Sequence, residues 1–359
     1  GNIGVGVASG TTPGAGVVNL GNANTTGAIT LSGTVYNTSG AVTLKTGSGG
    51  YVVNNASAVT MVTSGDAVTF GVSGVTGDLT VGNATFKIDT DTTGSSGGNI
   101  TFFGDILGAS GGDEADIILD AYDGNVTVLG MGSNGGSDND EINDITLTGA
   151  TIYLNGGINA THNSSTDKGN VTFTGAVQIV GDTTIVTDNT STNDGNVSFS
   201  STIDDYAASG TSNLIIKSGG GTVGVTGKIG ATTGLTSLTV NASDGYTSTG
   251  KITLTADIGD TGNEGVTGTT KIGNTSTSEI ELGGTLYRTN AATYTASGTA
   301  ADNNGSIDMA ATGDVKFQSS NDAITFATGK LELGDGADLE VTAGSGTISV
   351  YGVVGTSYE

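Results

Sequence analysis

Two short stretches carry the residue types that hold a hard cation. Residues 111–119 read G-G-D-E-A-D-I-I-L, and residues 135–143 read G-G-S-D-N-D-E-I-N. Each places an acid sixth (Asp116, Asp140) and an aliphatic residue eighth (Ile118, Ile142). Calcium takes several carboxylate and carbonyl oxygens, and a glycine-rich turn can wrap its backbone around the ion. Asp113, Asp116, Asp138, Asp140 and Glu141 are therefore the candidate calcium ligands, with solvated acidic turns as the rival reading. Other chemistry is thin. The only histidine, His162, lies in the polar stretch N-A-T-H-N-S-S, and one loop histidine does not build a Ser-His-Asp relay. The only arginine, Arg288 in L-Y-R-T-N, reads as a surface or ion-pair residue. Without cysteine there is neither thiol catalysis nor a cysteine metal site.

The elements that must position these residues follow from composition and period. The chain has 359 residues, 64 of them Gly, one Pro, and 10 cations against 35 acids, a net charge of −25. Ten scattered cations exclude a nucleic-acid footprint. No apolar run approaches the roughly 20 residues of a membrane-spanning helix. Gly, Thr, Asn, Ser and Val are mediocre to poor helix formers, and collagen fails for want of proline. Composition alone leaves a folded and a disordered chain both open.

Period decides between them. In G-N-V-T-F-T-G-A-V-Q-I from Gly169, Val171, Phe173, Val177 and Ile179 fall on alternate positions, as in a half-buried strand. The phrase returns at Gly27, Gly98, Gly195, Gly221 and Gly250, giving G-N-[VI]-T-[FLV]-x-[GA]-x-[VI]. Its first apolar positions Ile145, Val171, Val197 and Val223 lie 26 residues apart, as do Ile100 and Val126. Turn clusters of Asn, Gly, Ser and Asp separate the strands.

A period near 26 residues built from short strands predicts an all-β fold, a parallel β-helix (β-solenoid) with coils of about 26 residues. At that period the chain makes about 14 coils. The 13-residue spacing of Ile29 and Val42 keeps a rival open, a row of β-hairpins or sandwiches. The reading divides the chain into a lead-in or first coil over residues 1–26, solenoid repeats over 27–350 and a tail over 351–359. Both ends are candidates for contact between subunits.

The phrase, followed by a Gly-rich turn and L-T-V-N, resembles the β-strand repeats of filamentous-haemagglutinin-like adhesins, best over residues 169–242. That resemblance implies a secreted or cell-surface stalk serving adhesion or biofilm, without catalysis. Its partners would be other copies or further repeats end to end, and host or environmental surfaces or polysaccharide. Beginning at Gly1 without that family's secretion domain, the chain reads as a processed product or a piece of something longer. The two acidic stretches resemble the calcium nonapeptide of RTX proteins, with Glu114 or Asp138 where that repeat has its fourth-place glycine. The alternative is a polysaccharide-degrading β-helix enzyme, which needs carboxylates paired for acid–base work or a cation beside bound calcium.

Three repeated features complete the reading. Fourteen N-x-S/T sequons include Asn24, Asn99, Asn125, Asn170 and Asn196; those in G-N-V-T strand starts are too structured to modify, unlike loop sites such as Asn163 and Asn189. Thr30, Thr101, Thr127, Thr146, Thr172 and Thr253 are expected on one outward face, as solvated β-formers or an ordered ladder. Phe102, Phe173, Phe199 and Phe317 share a repeat position and are expected to stack as one core column. Tyr351 and Tyr358 stand near the last coil, an edge open to a further subunit.

Overall fold

The computed structural model describes residues 16–75, 77–82, 85–91, 94, 96–109, 115–132, 142–161, 168–188, 194–206, 211–242, 248–297, 306–334 and 336–356. The chain is all-β, a parallel β-solenoid of about 11 turns with coils of about 26 residues. It divides into two compact units, Gly1–Ala176 and Val177–Glu359.

In the first unit every coil visits three columns of strands. One column runs Val42–Lys45, Val68–Phe70, Ile100–Phe102, Asn125–Val128 and the end of Ile142–Leu154, with Val42, Val68, Ile100, Val126 and Ile152 in parallel register. Val18–Gly21 precedes it, Val18 opposite Val42. A second column aligns Ile29, Tyr51, Leu79 and Ile106, and continues as single bridges to Met131 and Ile158. The third aligns Tyr36, Met61, Ile88, Leu119 and Leu147. Ile29 and Val42 therefore sit on different columns of one coil. Their 13-residue spacing is a walk between columns, and the hairpin reading falls because each strand pairs in parallel with a strand of the next coil.

The second unit repeats the plan. Val197, Val223, Ile252, Ile280, Ile307, Leu331 and Val354 form one register, and Leu214, Leu238, Thr270, Ala292, Ile324 and Ile348 another. Ile203, Ile229, Ile258, Tyr287, Phe317 and Val341 form the third, at steps of 26, 29, 29, 30 and 24 residues. Insertions at the corners lengthen these coils, as does the step of 32 from Val68 to Ile100. This accounts for fewer turns than the expected 14. Among the described residues, paired strands run from Val18–Gly21 to Ile348–Thr356.

Alternation fills the core as the phrase predicts, since Ile100, Phe102, Val171, Phe173, Val197 and Phe199 are all buried. The four phenylalanines do not form one column. Phe102 stacks on Phe70 at 4.7 Å in the first column of the first unit, whereas Phe173 lies on Val171–Ile179, whose start pairs onto Ile145 through the Ile145 N–H to Asn170 carbonyl bond. Phe199 is in register with Val225, and Phe317 stacks on Tyr287 at 4.7 Å in a different column of the second unit. The same phrase thus occupies different positions around the coil. Threonines are distributed likewise. Thr43, Thr69, Thr101 and Thr127 do form a ladder, but Thr30 faces Val52, Thr146 faces Ile118, and Thr253 lies between Gly224 and Glu281.

Glycine at the start of the phrase answers to close approach between coils. A Cβ on Gly250 would lie 1.8 Å from the Gly221 carbonyl oxygen, and one on Gly221 would lie 1.9 Å from that of Gly195. Gly250→Val is expected to lower unfolding stability by about 3 kcal/mol, because the backbone of the neighbouring coil must move. Gly224, on an outward strand position with nothing within 4 Å, is the control: Gly224→Ala is expected to be neutral or to stabilise by about 0.5 kcal/mol. Denaturant unfolding of the two variants reads the difference.

Candidate functional site

Most polar side chains at strand starts are committed to the next coil. Asn99 Oδ1 accepts the Asn125 N–H at 2.9 Å, and Asn196 Oδ1 accepts both the Thr222 N–H (2.8 Å) and its hydroxyl (3.0 Å). Asp144 Oδ1 accepts the Asn170 N–H and side-chain amide at 2.8 and 2.9 Å. Asp182 does the same for Asn213, and Asp257 Oδ1 takes the N–H groups of Thr285 and Leu286. Sequon asparagines Asn99, Asn170 and Asn196 are therefore rungs between coils. Asn163 and Asn189 lie outside the described residues, as does His162.

Of the five candidate calcium ligands, Asp116 alone is described; Asp113, Asp138, Asp140 and Glu141 lie outside the described residues. Asp116 sits half-buried on Ala115–Asp120. Its Oδ1 accepts from the Asn143 amide at 3.0 Å and the Asp144 N–H at 3.3 Å, and its Oδ2 accepts from the Thr85 hydroxyl at 3.3 Å. Among the described residues no group of three or more His, Cys, Asp or Glu converges on one ion position.

Two other places gather chemistry. A cleft of about 380 Å³ in the first unit is lined by Asp105, Leu107, Leu129, Gly130, Asn155 and Gly156, among others. Burial raises the Asp105 carboxyl, the Asp78 charge adds to the rise, and a hydrogen bond from the Gly130 backbone opposes it. In the second unit Asp188 and Asp194 close on the Gly219–Gly220 turn. A Cβ at Gly219 would lie 2.5 Å from Asp194 Oδ2 and 2.6 Å from Asp188 Oδ1. The Gly220 N–H donates to Asp194 Oδ2, while Asp188 Oδ2 is buried without a hydrogen-bond partner. Burial first, and the Asp194 charge second, push the Asp188 carboxyl up to about 6; Lys217 pulls it down.

Three lysines bridge to carboxylates of a neighbouring coil. Lys251 reaches Glu279 at 3.0 Å and Glu281 at 2.5 Å, Lys228 reaches Asp257 at 3.2 Å, and Lys316 reaches Glu340 at 2.8 Å. Arg288 braces a turn, donating from Nη1 to the Thr261 carbonyl at 2.5 Å. Exposed pairs of this sort contribute at most about 1 kcal/mol each.

Sequence reading passed over Asp204 and Asp205, which are 4% and 1% exposed. Asp204 Oδ1 takes the Thr232 and Thr233 N–H groups, and Asp205 Oδ2 takes the Ser212 N–H at 2.7 Å. They satisfy backbone groups where the chain leaves the strand Ile203–Asp205. The adjacent acids in S-T-I-D-D-Y, replacing the alternation after Ile203, were the available signal.

The chain matches no protein-family model, no curated protein and no solved structure.

Asp188 gives a pH test. Folded, it keeps its proton up to about pH 6; unfolded, it loses it near 3.8. The folded state binds more protons between those values, so this group's contribution to stability is lost as pH rises through that window. Asp188→Asn is expected to flatten that fall and to stabilise the chain at neutral pH by about 1 kcal/mol, after discounting for its half-exposed position. Thermal melts of both chains from acid to neutral pH measure it. Asn196→Ala, which removes a rung, should instead cost about 1 kcal/mol at every pH.

Proposed function

We propose that the chain is a non-catalytic structural β-solenoid segment of a secreted or cell-surface adhesin or extracellular filament. The observation that carries this reading is the commitment of its polar groups. Asn99, Asn196, Asp144, Asp182 and Asp257 spend their oxygens on backbone N–H groups of the adjacent coil. Lys228, Lys251 and Lys316 spend their charges on carboxylates one coil on. Side chains used in this way supply mechanical continuity rather than convergent acid–base or nucleophilic chemistry. The resemblance of the strand phrase to filamentous-haemagglutinin-like repeats supports the same reading.

A structural role also accords with the acidity. A net charge of −25 keeps copies apart in solution unless cations or a specific contact joins them. The acidic stretches 111–119 and 135–143, with Asp113, Asp116, Asp138, Asp140 and Glu141, are the proposed places for calcium on such a stalk.

Electron microscopy of the purified chain tests the role: elongated particles are expected, and compact globules contradict it. Calcium is expected to raise the melting temperature and a chelator to lower it; equal melting temperatures in the two remove the ion from the proposal.

A further inference from the structure

A gap in the outward side chains marks the first unit. Ile106, Met131 and Ile158 follow one another on the second column, joined by parallel bridges. Ile106 stands between Asp105 and Leu107, whereas Met131 stands between Gly130 and Gly132. One coil thus presents bare backbone beside the carboxylate and the leucine of the coil before it. These glycines leave no room for a side chain of their own. A Cβ on Gly132 would lie 2.0 Å from the Asn159 carbonyl oxygen, and one on Gly130 would lie 2.9 Å from Asp105 Oδ1. The Asp105 carboxylate therefore leans over the Gly130 backbone, and the cleft of about 380 Å³ opens along the gap.

The lining selects the occupant. Leu107 and Leu129 point outward yet are half-buried, so aliphatic surface faces the gap. Asp105 supplies one carboxylate and the exposed Asn155 one amide. A single carboxylate does not chelate a divalent ion, and a sugar ring calls for more donors and acceptors than these two side chains offer. Charge narrows the choice further. Asp78 Oδ1 accepts the Asp105 N–H at 3.0 Å, which sets a second acid beside the first. Burial and the Asp78 charge both hold the Asp105 carboxyl up, and no lysine or arginine acts against them. The sequence supplies the reason: residues 88–167 hold 13 acids and no Lys or Arg. A half-buried carboxylate short of a counterion, beside aliphatic walls, suits a group with a cationic head and an apolar stem.

We propose that the cleft over Gly130–Gly132 binds a primary alkylammonium group, with its ammonium on Asp105 and Asn155 Oδ1 and its stem along Leu107 and Leu129. Free aliphatic amines and lysine side chains share this chemistry. The three N–H donors of the head meet acceptors, and the methylenes meet leucine rather than water. The site lies within the first unit and does not depend on a stalk role.

Titration of the full chain with n-pentylammonium, followed on the leucine methyl resonances, tests it. The Leu107 and Leu129 methyls are expected to shift and saturate. Affinity should exceed that for 1-pentanol or for ammonium ion by at least about tenfold, because each of those lacks one half of the ligand. Asp105→Asn keeps an oxygen for the Gly130 N–H while removing the charge, and is expected to weaken binding by at least about tenfold. Leu107→Lys sets the chain's own ammonium beside Asp105 and is expected to abolish binding with that carboxylate intact. Added salt and acid should both weaken binding, since the carboxylate must be ionised and unscreened. Nα-acetyl-lysine methylamide separates the two sources: affinity equal to that of pentylammonium marks a cleft for lysine side chains, and weaker binding marks one for free amines. Equal affinity for pentanol and pentylammonium overturns the proposal. So does unchanged affinity in Asp105→Asn, a shift spread evenly over other leucines, or saturation by glucose without any by the amine.

Discussion

Stacking one coil directly on the next, through parallel backbone hydrogen bonds, is the constraint on which the rest of this structure depends. The spacing between hydrogen-bonded strands is about 4.8 Å, so at each corner the backbone of one coil lies against that of its neighbour. A side chain there has no room, which is why Gly221 and Gly250 meet carbonyl oxygens where other residues would place Cβ. Strand positions escape this because their side chains leave the plane of the ladder, alternately into the core and out to solvent. Glycine is thus a corner residue for reasons of space, and only some corners also require a positive φ.

Corners create a second problem, since the ladder breaks where the chain turns and N–H groups lose their carbonyl partners. An unsatisfied buried N–H costs about 1–3 kcal/mol. Here the side-chain oxygens of Asn and Asp in one coil replace the missing carbonyls for the next, as Asn99 does for Asn125 and Asp257 does for Thr285. Much of the acidity is therefore a by-product of corner chemistry. Asp accepts without donating, which suits a site that offers only N–H groups. The cost is mutual repulsion where two acids meet, as at Asp188 and Asp194, which Lys217 offsets only in part.

Fold class was legible because alternation and period both survive in the strands: Val171, Phe173 and Ile179 are buried as their spacing requires. Column assignment was not legible. The phrase at Gly98 and the phrase at Gly169 look alike, yet Ile100 continues from Val68 and Val171 follows Ile145. Local sequence records whether a side chain points inward, and three columns with the same inward chemistry cannot be told apart by it. Phe102 and Phe173 were therefore placed in one stack that the coil path separates. Of the candidate site, Asp116 was legible as an outward turn-proximal acid, but its bonds to Thr85 and Asn143 come from coils 31 and 27 residues away and leave no local trace. Asp204 and Asp205 were missed because burying an acid runs against ordinary preference, and what satisfies Asp204 lies nearly 30 residues on.

The interchangeability of the columns has a further consequence. If a phrase works on any column, what a sequence must preserve is the match between consecutive coils, and corners are free to lengthen. The coils show this freedom, with steps from 24 to 30 residues along Ile203, Ile229, Ile258, Tyr287, Phe317 and Val341. Each register is corrected at the next strand, because a slip of one residue would turn Val, Ile and Phe outward and Thr inward. A fold specified by neighbour-to-neighbour matching builds its contacts mostly from residues about one coil apart, so its side chains meet along the ladder. Its outward chemistry therefore repeats along the stack wherever consecutive coils keep their register.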